Sequence, residues 1–226
     1  MGTFFSSHRE AHVGRRKLRV TGLCLVVIVL AGAVGGGGCE LLYFAGGKGE
    51  QKALFVLPKK QRVLVLVDTR ASAEPPPGFS TRLGEAISTH LYRFKAADNF
   101  VGQERLSNLR QDVTAFAKLG VADIARACDA DCVVVVDVWD FSVTMSSDKA
   151  IIQGSAQAFV KVVANDGSRL WPVGIDAGTP VEAHVEPTLA SEKERDSVIH
   201  DMLDLLTIRT GRMFHAYDLE DKQMIR

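Results

Sequence analysis

The stretch CVVVVDVWDFSV, residues 132–143, constrains the fold of this chain more than any other. Alternation along a strand puts two sets of side chains on opposite faces. The first set is Val133, Val135, Trp139, Phe141 and Val143. The second set, on the opposite face, is Val134, Val136 and Val138. A strand that is apolar on both faces lies in the middle of a covered sheet. We therefore expect a central strand, with Asp137 as a buried carboxylate on the aromatic face that needs polar partners.

Other segments have the pattern of neighbouring strands. Residues 62–68 form a short apolar run rich in valine and leucine, which predicts a second buried strand. From Ala150 onward, small and apolar residues alternate with polar ones, which predicts a half-exposed antiparallel strand. An Asn-Asp-Gly turn at 165–167 favours a hairpin to residues 168–173, because Asn and Gly accept a positive φ. Residues 179–186 alternate again and predict an edge strand.

Helices are indicated by apolar side chains spaced three and four residues apart. Ser80 or Thr81 can cap a helix with the stripe Leu83, Ala86, Ile87, His90, Leu91 and Phe94. A short strand near residues 99–102 and short helices between residues 104 and 128 follow. A capping box at 191–194, Ser-Glu-Lys-Glu, predicts the start of a long final helix. The elements predict an α+β domain over residues 62–215: a mixed sheet of five or six strands covered by about three helices, with 216–226 as a tail.

The first 39 residues have the order of an export signal. A basic cluster at 15–19 is followed by a largely apolar run at 20–34 and then by four glycines before Cys39. A helix of that apolar length spans about 23 Å, short of the ~30 Å hydrocarbon core. Each glycine also weakens a helix by about 0.8–1.0 kcal/mol relative to alanine. The pattern favours a cleaved signal peptide at 1–38.

The triplet Gly37-Gly38-Cys39 resembles the bacterial lipoprotein box, in which a small residue precedes an acylated cysteine. Gly36 departs from that pattern, which usually has an aliphatic residue there. The resemblance implies that Cys39 carries the lipid of a palmitate-bearing lipoprotein in the cell membrane or the outer membrane, facing the periplasm. An uncleaved transmembrane helix is the alternative, since apolar residues at 41–44 extend the run. Residues 39–61 are then interpreted as the lipidated cysteine and a flexible tether rich in glycine and lysine.

The charge of the chain argues against a nucleic-acid partner. The first 38 residues hold five of the 27 basic and one of the 27 acidic side chains, so the remainder carries a net charge of −4. A protein that binds nucleic acid needs a basic face to replace the counterions of the phosphates. The mildly acidic remainder therefore gives no electrostatic footprint for DNA or RNA.

Candidate binding residues follow the ends of the two apolar strands. Asp68 ends the first strand, and Pro75, Pro76 and Pro77 stiffen the loop after it. Loops at strand ends often carry function. Asp137 is the remaining candidate. The plainer interpretations, a rigid connector and a structural hydrogen-bond hub, stay open.

We find no catalytic, cofactor or metal motif in the sequence. Glu182, His184 and Glu186 are better explained as the solvated face of an edge strand. Cys128 and Cys132 form a C-x-x-x-C pattern, which is neither the redox C-x-x-C nor a paired zinc knuckle. Both read as small core residues. A disulfide between them requires Cα atoms within about 7 Å, and a thiol-based redox enzyme is the alternative function.

The stretch VADIARACDADCVVVVDV, residues 121–138, resembles a helix–turn–strand segment of a group of envelope lipoproteins. The group includes the amino-terminal domain of the translocation protein TolB, the curli-secretion lipoproteins and the activators of penicillin-binding proteins. The resemblance implies an α+β fold and a non-enzymatic role in binding or assembly with another envelope protein. It implies no catalytic residue, and fold analogy alone cannot assign a partner.

Overall fold

The computed structural model describes residues 49–70, 75–191 and 193–218. The predicted signal peptide, Cys39 and most of the predicted tail lie outside these residues. None of the helices in the described ranges is both long and apolar enough to cross a membrane.

The strands are β1 (Glu50–Gln51), β2 (Arg62–Thr69), β3 (Asn99–Phe100), β4 (Cys132–Met145), β5 (Ile151–Ala164), β6 (Arg169–Trp171), β7 (Thr179–Leu189) and β8 (Tyr217–Asp218). The helices are α1 (Phe79–Arg93), α2 (Gln103–Leu109), α3 (Val113–Phe116), α4 (Val121–Ala127) and α5 (Arg195–Gly211). Of the described helices, α1 and α5 are longer than seven residues, and the short helices α2, α3 and α4 lie where the sequence predicts short helices, between residues 103 and 128.

Within the described residues, six strands form one mixed sheet in the order β3-β2-β4-β5-β6, and β7 also pairs with β5. β2 runs parallel to both of its neighbours, whereas β5 runs antiparallel to β4, β6 and β7. β2 and the first half of β4 are buried, because both of their faces are apolar. The predicted α+β class, the mixed sheet and the central position of β4 are confirmed.

Two apolar cores lie on opposite faces of this sheet. α1 and α5 cover one face with their apolar stripes, which include Leu83, Ile87 and Met202. The short helices α2 and α4 cover the other face of the parallel half, around Leu106 and Ile124. Along β5, Gln153, Ser155, Gln157 and Lys161 alternate with buried residues, as the sequence predicts, and Phe159 on the same face packs against Trp139. The parallel half is therefore a three-layer structure, and the second face of the antiparallel half combines polar side chains with the aromatic pair Trp139 and Phe159.

The predicted faces of β4 hold as far as Val138 and reverse after it. Val138 pairs with Ala158 and Asp140 with Gln157, so Trp139 is an extra residue in a β-bulge. Phe141 consequently joins the α1 side, with its ring centroid 4.9 Å from that of Phe79. The prediction that Phe141 and Val143 share a face with Val133 was wrong, because one inserted residue reverses the alternation.

Both long helices begin elsewhere than their capping signals predict. The N-cap of α1 is Gly78, whose φ of 76° suits glycine, so Ser80 and Thr81 lie inside the helix. α5 begins at Arg195 with Glu194 as its N-cap, and the capping box predicted at 191–194 was wrong. β7 extends to Leu189, which pairs with Ile151, and this pairing fixes the chain beyond the end of the predicted strand. Tertiary pairing thus overrides the local signal.

The domain begins before residue 62. β1 pairs with β8, the amides of Leu54 and Phe55 donate to the carbonyl of Met213, and Leu57 is 1 % exposed. Part of the segment interpreted as a tether, and part of the predicted tail, therefore pack on the sheet. We call this end of the domain, formed by residues 50–57, Trp171 and residues 213–218, the entry end.

Candidate functional site

A cleft of about 570 Å³ opens where β2 ends and α1 begins. Open sheets bind ligands outside the carboxyl ends of parallel strands, because the chain turns away there and leaves a crevice. The lining comprises Val67, Asp68, Thr69, Arg70, Pro75, Pro76, Pro77, Gly78, Phe79, Ser80, Thr81 and Arg110. Four of the residues selected from the sequence, Asp68 and the three prolines, thus lie together in one cleft.

The fifth selected residue, Asp137, lies beneath this cleft. It is the register partner of Asp68 on the neighbouring parallel strand, and it is 4 % exposed. Arg70 Nε lies 3.2 Å from Asp137 Oδ1, which makes an ion pair. That oxygen accepts no hydrogen bond in the described part of the chain. The guanidinium of Arg70 therefore compensates this buried carboxylate. Because Arg70 also lines the cleft, it connects Asp137 to the cleft.

Arg110 adds a second guanidinium group to the lining of the cleft, and the sequence did not predict it. Its Nη2 donates a hydrogen bond of 2.5 Å to the carbonyl of Val67, and its guanidinium carbon lies 5.4 Å from the centroid of the Phe116 ring. Burial lowers the pKa of Arg110, and the nearby Asp68 opposes that shift. Arg110 is the C-cap of a seven-residue helix, a position with no sequence signal that points toward β2. The cleft therefore combines Asp68 with two guanidinium groups.

The cysteines behave as core residues. Cys128 and Cys132 are free and buried, and they belong to the cores on opposite faces of the sheet. Burial raises the pKa of both thiols, that of Cys132 to about 11. A thiol with a raised pKa is mostly protonated near neutral pH, and the thiolate is the reactive form. These surroundings favour packing over redox chemistry.

The Glu-His-Glu stripe of β7 lies on the exposed face of an edge strand. Glu182, His184 and Glu186 alternate with the buried side chains of Val181, Ala183 and Val185. In the described ranges no group of three His, Cys, Asp or Glu side chains is placed to hold a metal ion. Arg209 also donates to the carbonyl of Glu182 and covers part of this edge. The stripe fits the interpretation as a solvated edge.

A pair of histidines joins α1 to the end of the chain. His90 Nε2 lies 3.1 Å from His215 Nε2, and the ring of Phe94 stacks on that of His215 at a centroid distance of 4.3 Å. His215 Nδ1 donates to the carbonyl of Ala216, 2.8 Å away, when it carries the proton. Burial lowers the pKa of His90 to about 4, with the charges of His215, Arg212 and Arg93 contributing. His90 is half-buried, as the sequence predicts.

The chain was also compared with known proteins. Its sequence matches no protein-family model and no curated protein. Among solved structures it is similar to lipoprotein GNA1162 from Neisseria meningitidis, with a TM-score of 0.41 and 12 % identity over 65 % of this chain and 94 % of that one. It is similar to PelC from Paraburkholderia phytofirmans, solved as a dodecamer, with a TM-score of 0.41 and 9 % identity over 74 % and 96 %.

A third likeness is to the C-terminal domain of LpoB from Salmonella enterica. The TM-score is 0.35 and the identity 14 %, over 57 % of this chain and 85 % of that one. At such scores the likenesses carry no argument about what the protein does.

Proposed function

We propose that the protein is a membrane-anchored, extracytoplasmic lipoprotein that acts as a non-enzymatic binding or assembly module of the cell envelope. The observation that carries the proposal is the order of residues 15–39, a basic cluster, a short apolar run, four glycines and Cys39, followed by a folded domain from Glu50. A cleaved signal, a lipid on Cys39 and a domain close behind it account for that order.

The cleft end, defined by the residues that line the cleft, is the surface that we assign to binding. Its mixed charges and its proline-stiffened rim suit the recognition of a protein surface. The exposed carboxylate of Asp68 and the guanidinium groups of Arg70 and Arg110 offer both charge signs to a partner. The proposed partner is another envelope protein, bound while the lipid holds this chain at the membrane.

Two alternative functions, a redox enzyme and a single-pass membrane protein, lead to different expected results. A redox enzyme that uses Cys128 and Cys132 needs at least one reactive thiol, whereas the raised pKa values favour two inert ones. Titration of the folded protein with a thiol reagent near neutral pH separates these cases. A single-pass protein with an uncleaved helix keeps Met1.

Intact mass of the protein extracted from membranes tests the anchor. We expect an N-terminus at Cys39 with added acyl mass. Retention of Met1 replaces the lipid by a spanning helix, and a soluble, unacylated chain contradicts the proposal.

Affinity capture from solubilised membranes tests the binding role. We expect a reproducible envelope protein with the native chain and its loss with Asp68→Lys. The matched control is Glu186→Lys, which changes an exposed acid on β7 by the same charge and is expected to retain the partner. Failure of the native chain to retrieve any reproducible protein contradicts an assembly role.

A further inference from the structure

Exposed apolar side chains stand at the entry end of the domain. Leu54 is 54 % exposed, Val56 69 % and Val173 83 %. They belong to two segments that meet where the ring of Phe55 lies 6.1 Å from that of Trp171. Trp171 in turn contacts Phe214, with ring centroids 5.9 Å apart. The packed rings of Phe55, Trp171 and Phe214 thus support the segments whose exposed side chains project into solvent.

The loop that carries Val173 is held in place by hydrogen bonds. Arg169 donates to the carbonyls of Ile175 and Asp176 at 2.8 and 3.0 Å. Gly178 closes the loop with a φ of 104°, and a Cβ there would lie 2.8 Å from the carbonyl oxygen of Val160. Because the loop is braced from both sides, the exposure of Val173 is a property of the fold.

Cations lie beside Leu54 and along the segment that carries Val56. A hollow at the entry end is lined by Leu54 and Met213 together with Lys52, Arg209 and Arg212. Lys59 and Lys60 continue the same segment toward β2 and are exposed. Glu50, Asp176, Glu182 and Asp218 supply negative charge nearby, so the surface carries both charge signs. Apolar side chains that project between lysines and arginines are the composition of a surface that binds an anionic bilayer.

The chain enters the domain at this same end. The ten residues between Cys39 and Glu50 span at most about 35 Å when fully extended. A lipid on Cys39 therefore keeps Glu50 within about 35 Å of the bilayer surface. Met145, Ile151 and Leu189 are also exposed, but they lie at the other end of the sheet, where β4 ends and β5 begins.

We propose that Leu54, Val56 and Val173, with the flanking lysines, dock the entry end onto the anionic surface of the membrane that holds the anchor. This inference rests on the proposed function, because the anchor supplies the proximity. Docking turns the cleft, at the opposite end of β2, away from the bilayer and toward a partner.

The test uses the full chain, purified from membranes and reconstituted into vesicles of phosphatidylcholine with phosphatidylglycerol. A nitroxide on Val173→Cys is compared with one on Met145→Cys, an exposed apolar residue at the other end. Cys128 and Cys132 are buried and do not compete for the label. We expect the label at 173 to collide more with membrane-dissolved oxygen, and less with a water-soluble nickel complex, than the label at 145.

Charge variants give a second measurement. Removing one lysine that faces anionic lipid weakens docking about fivefold at low salt. We expect that shift for Lys52→Gln, and no shift for the control Lys149→Gln near the end of β4. In vesicles of pure phosphatidylcholine, which carry no net charge, we expect the label at position 173 to become exposed to water.

The outcomes separate the two proposals. Protein that floats with the vesicles while position 173 stays as water-exposed as position 145 overturns the docking and leaves the anchor intact. Shielding of position 173 in native membranes, but not in lipid vesicles that contain no other protein, also overturns the docking on lipid. It indicates instead that a protein partner covers this surface. Protein that does not float with the vesicles contradicts the proposed function and the docking together.

Discussion

At the carboxyl end of β2 the sheet opens into a cleft with both charge signs, whereas at its amino end the same sheet is closed by aromatic rings and a histidine pair. Asp68 and Arg70 at the cleft end are exposed, while Leu57 and Phe214 at the entry end are buried. The cleft at the carboxyl end exists because the chain turns away from β2 toward α1 there and leaves a crevice beside the parallel strands. The closure at the amino end arises because residues 50–57 and residues 213–218 come together there. The cleft end leaves charged side chains open to solvent, whereas the entry end is closed over buried aromatic rings.

The largest expected effect tests closure at the entry end. Leu57→Ala removes a side chain that is 1 % exposed, and we expect a loss of about 3 kcal/mol in the free energy of unfolding. Urea denaturation measures it. The neighbouring change Val56→Ala, at 69 % exposure, is the control and is expected to stay within about 0.5 kcal/mol. Equal effects at both positions contradict the inclusion of this segment in the domain.

A smaller effect tests the cleft end. Arg70→Ala leaves the buried carboxylate of Asp137 without its ion pair, and we expect a loss of about 1–2 kcal/mol, because Arg70 itself is largely exposed. Adding Asp137→Asn removes the uncompensated charge and is expected to recover most of that loss. Two independent, additive losses in the double-mutant cycle argue against the pair.

The smallest effect tests the histidine pair. The pKa of His90 is lowered to about 4, below the ordinary value near 6.5. The unfolded chain therefore binds more protons than the folded one as the pH falls from 6.5 toward 4, and folding weakens in that window. With a discount for partial exposure, we expect a loss of about 1 kcal/mol between pH 7 and pH 5.

Thermal unfolding at several pH values measures this dependence. His90→Gln is expected to flatten the profile in that window. The matched control is His184→Gln, which changes an exposed histidine on β7. An unchanged profile for His90→Gln assigns the pH dependence to other groups.

The sheet was predictable wherever the apolar pattern alone decides burial. Valine on both faces of β4 and alternation along β5 are local signals, and both strands lie where they were expected. The bulge at Trp139 was not predictable, since the register is set by pairing with β5 rather than by β4 itself. The pairing of residues 50–51 with 217–218 joins two distant segments, and neither carries a strand pattern of its own.

The candidate site was predictable only in part. Asp68 and the prolines adjoin the end of an apolar strand, so their meeting in one cleft follows from chain order. Arg110 arrives from a separate helix, and its hydrogen bond to the Val67 carbonyl depends on how that helix packs. A rule that looks for cations in every helix packed beside a parallel strand would have found it.

The pairing of β1 with β8 has a consequence for the order in which the chain folds. β4 and β5 are consecutive and pair along almost their whole length, so their contacts close short loops. The pairing of Glu50 with Asp218 closes a loop of nearly the whole domain, which costs more chain entropy. We expect pulse-labelled hydrogen exchange to protect amides of β4 and β5 before those of residues 50–57. Residues 50–57 would then be among the last to acquire structure, and they are the part of the domain nearest the proposed anchor at Cys39.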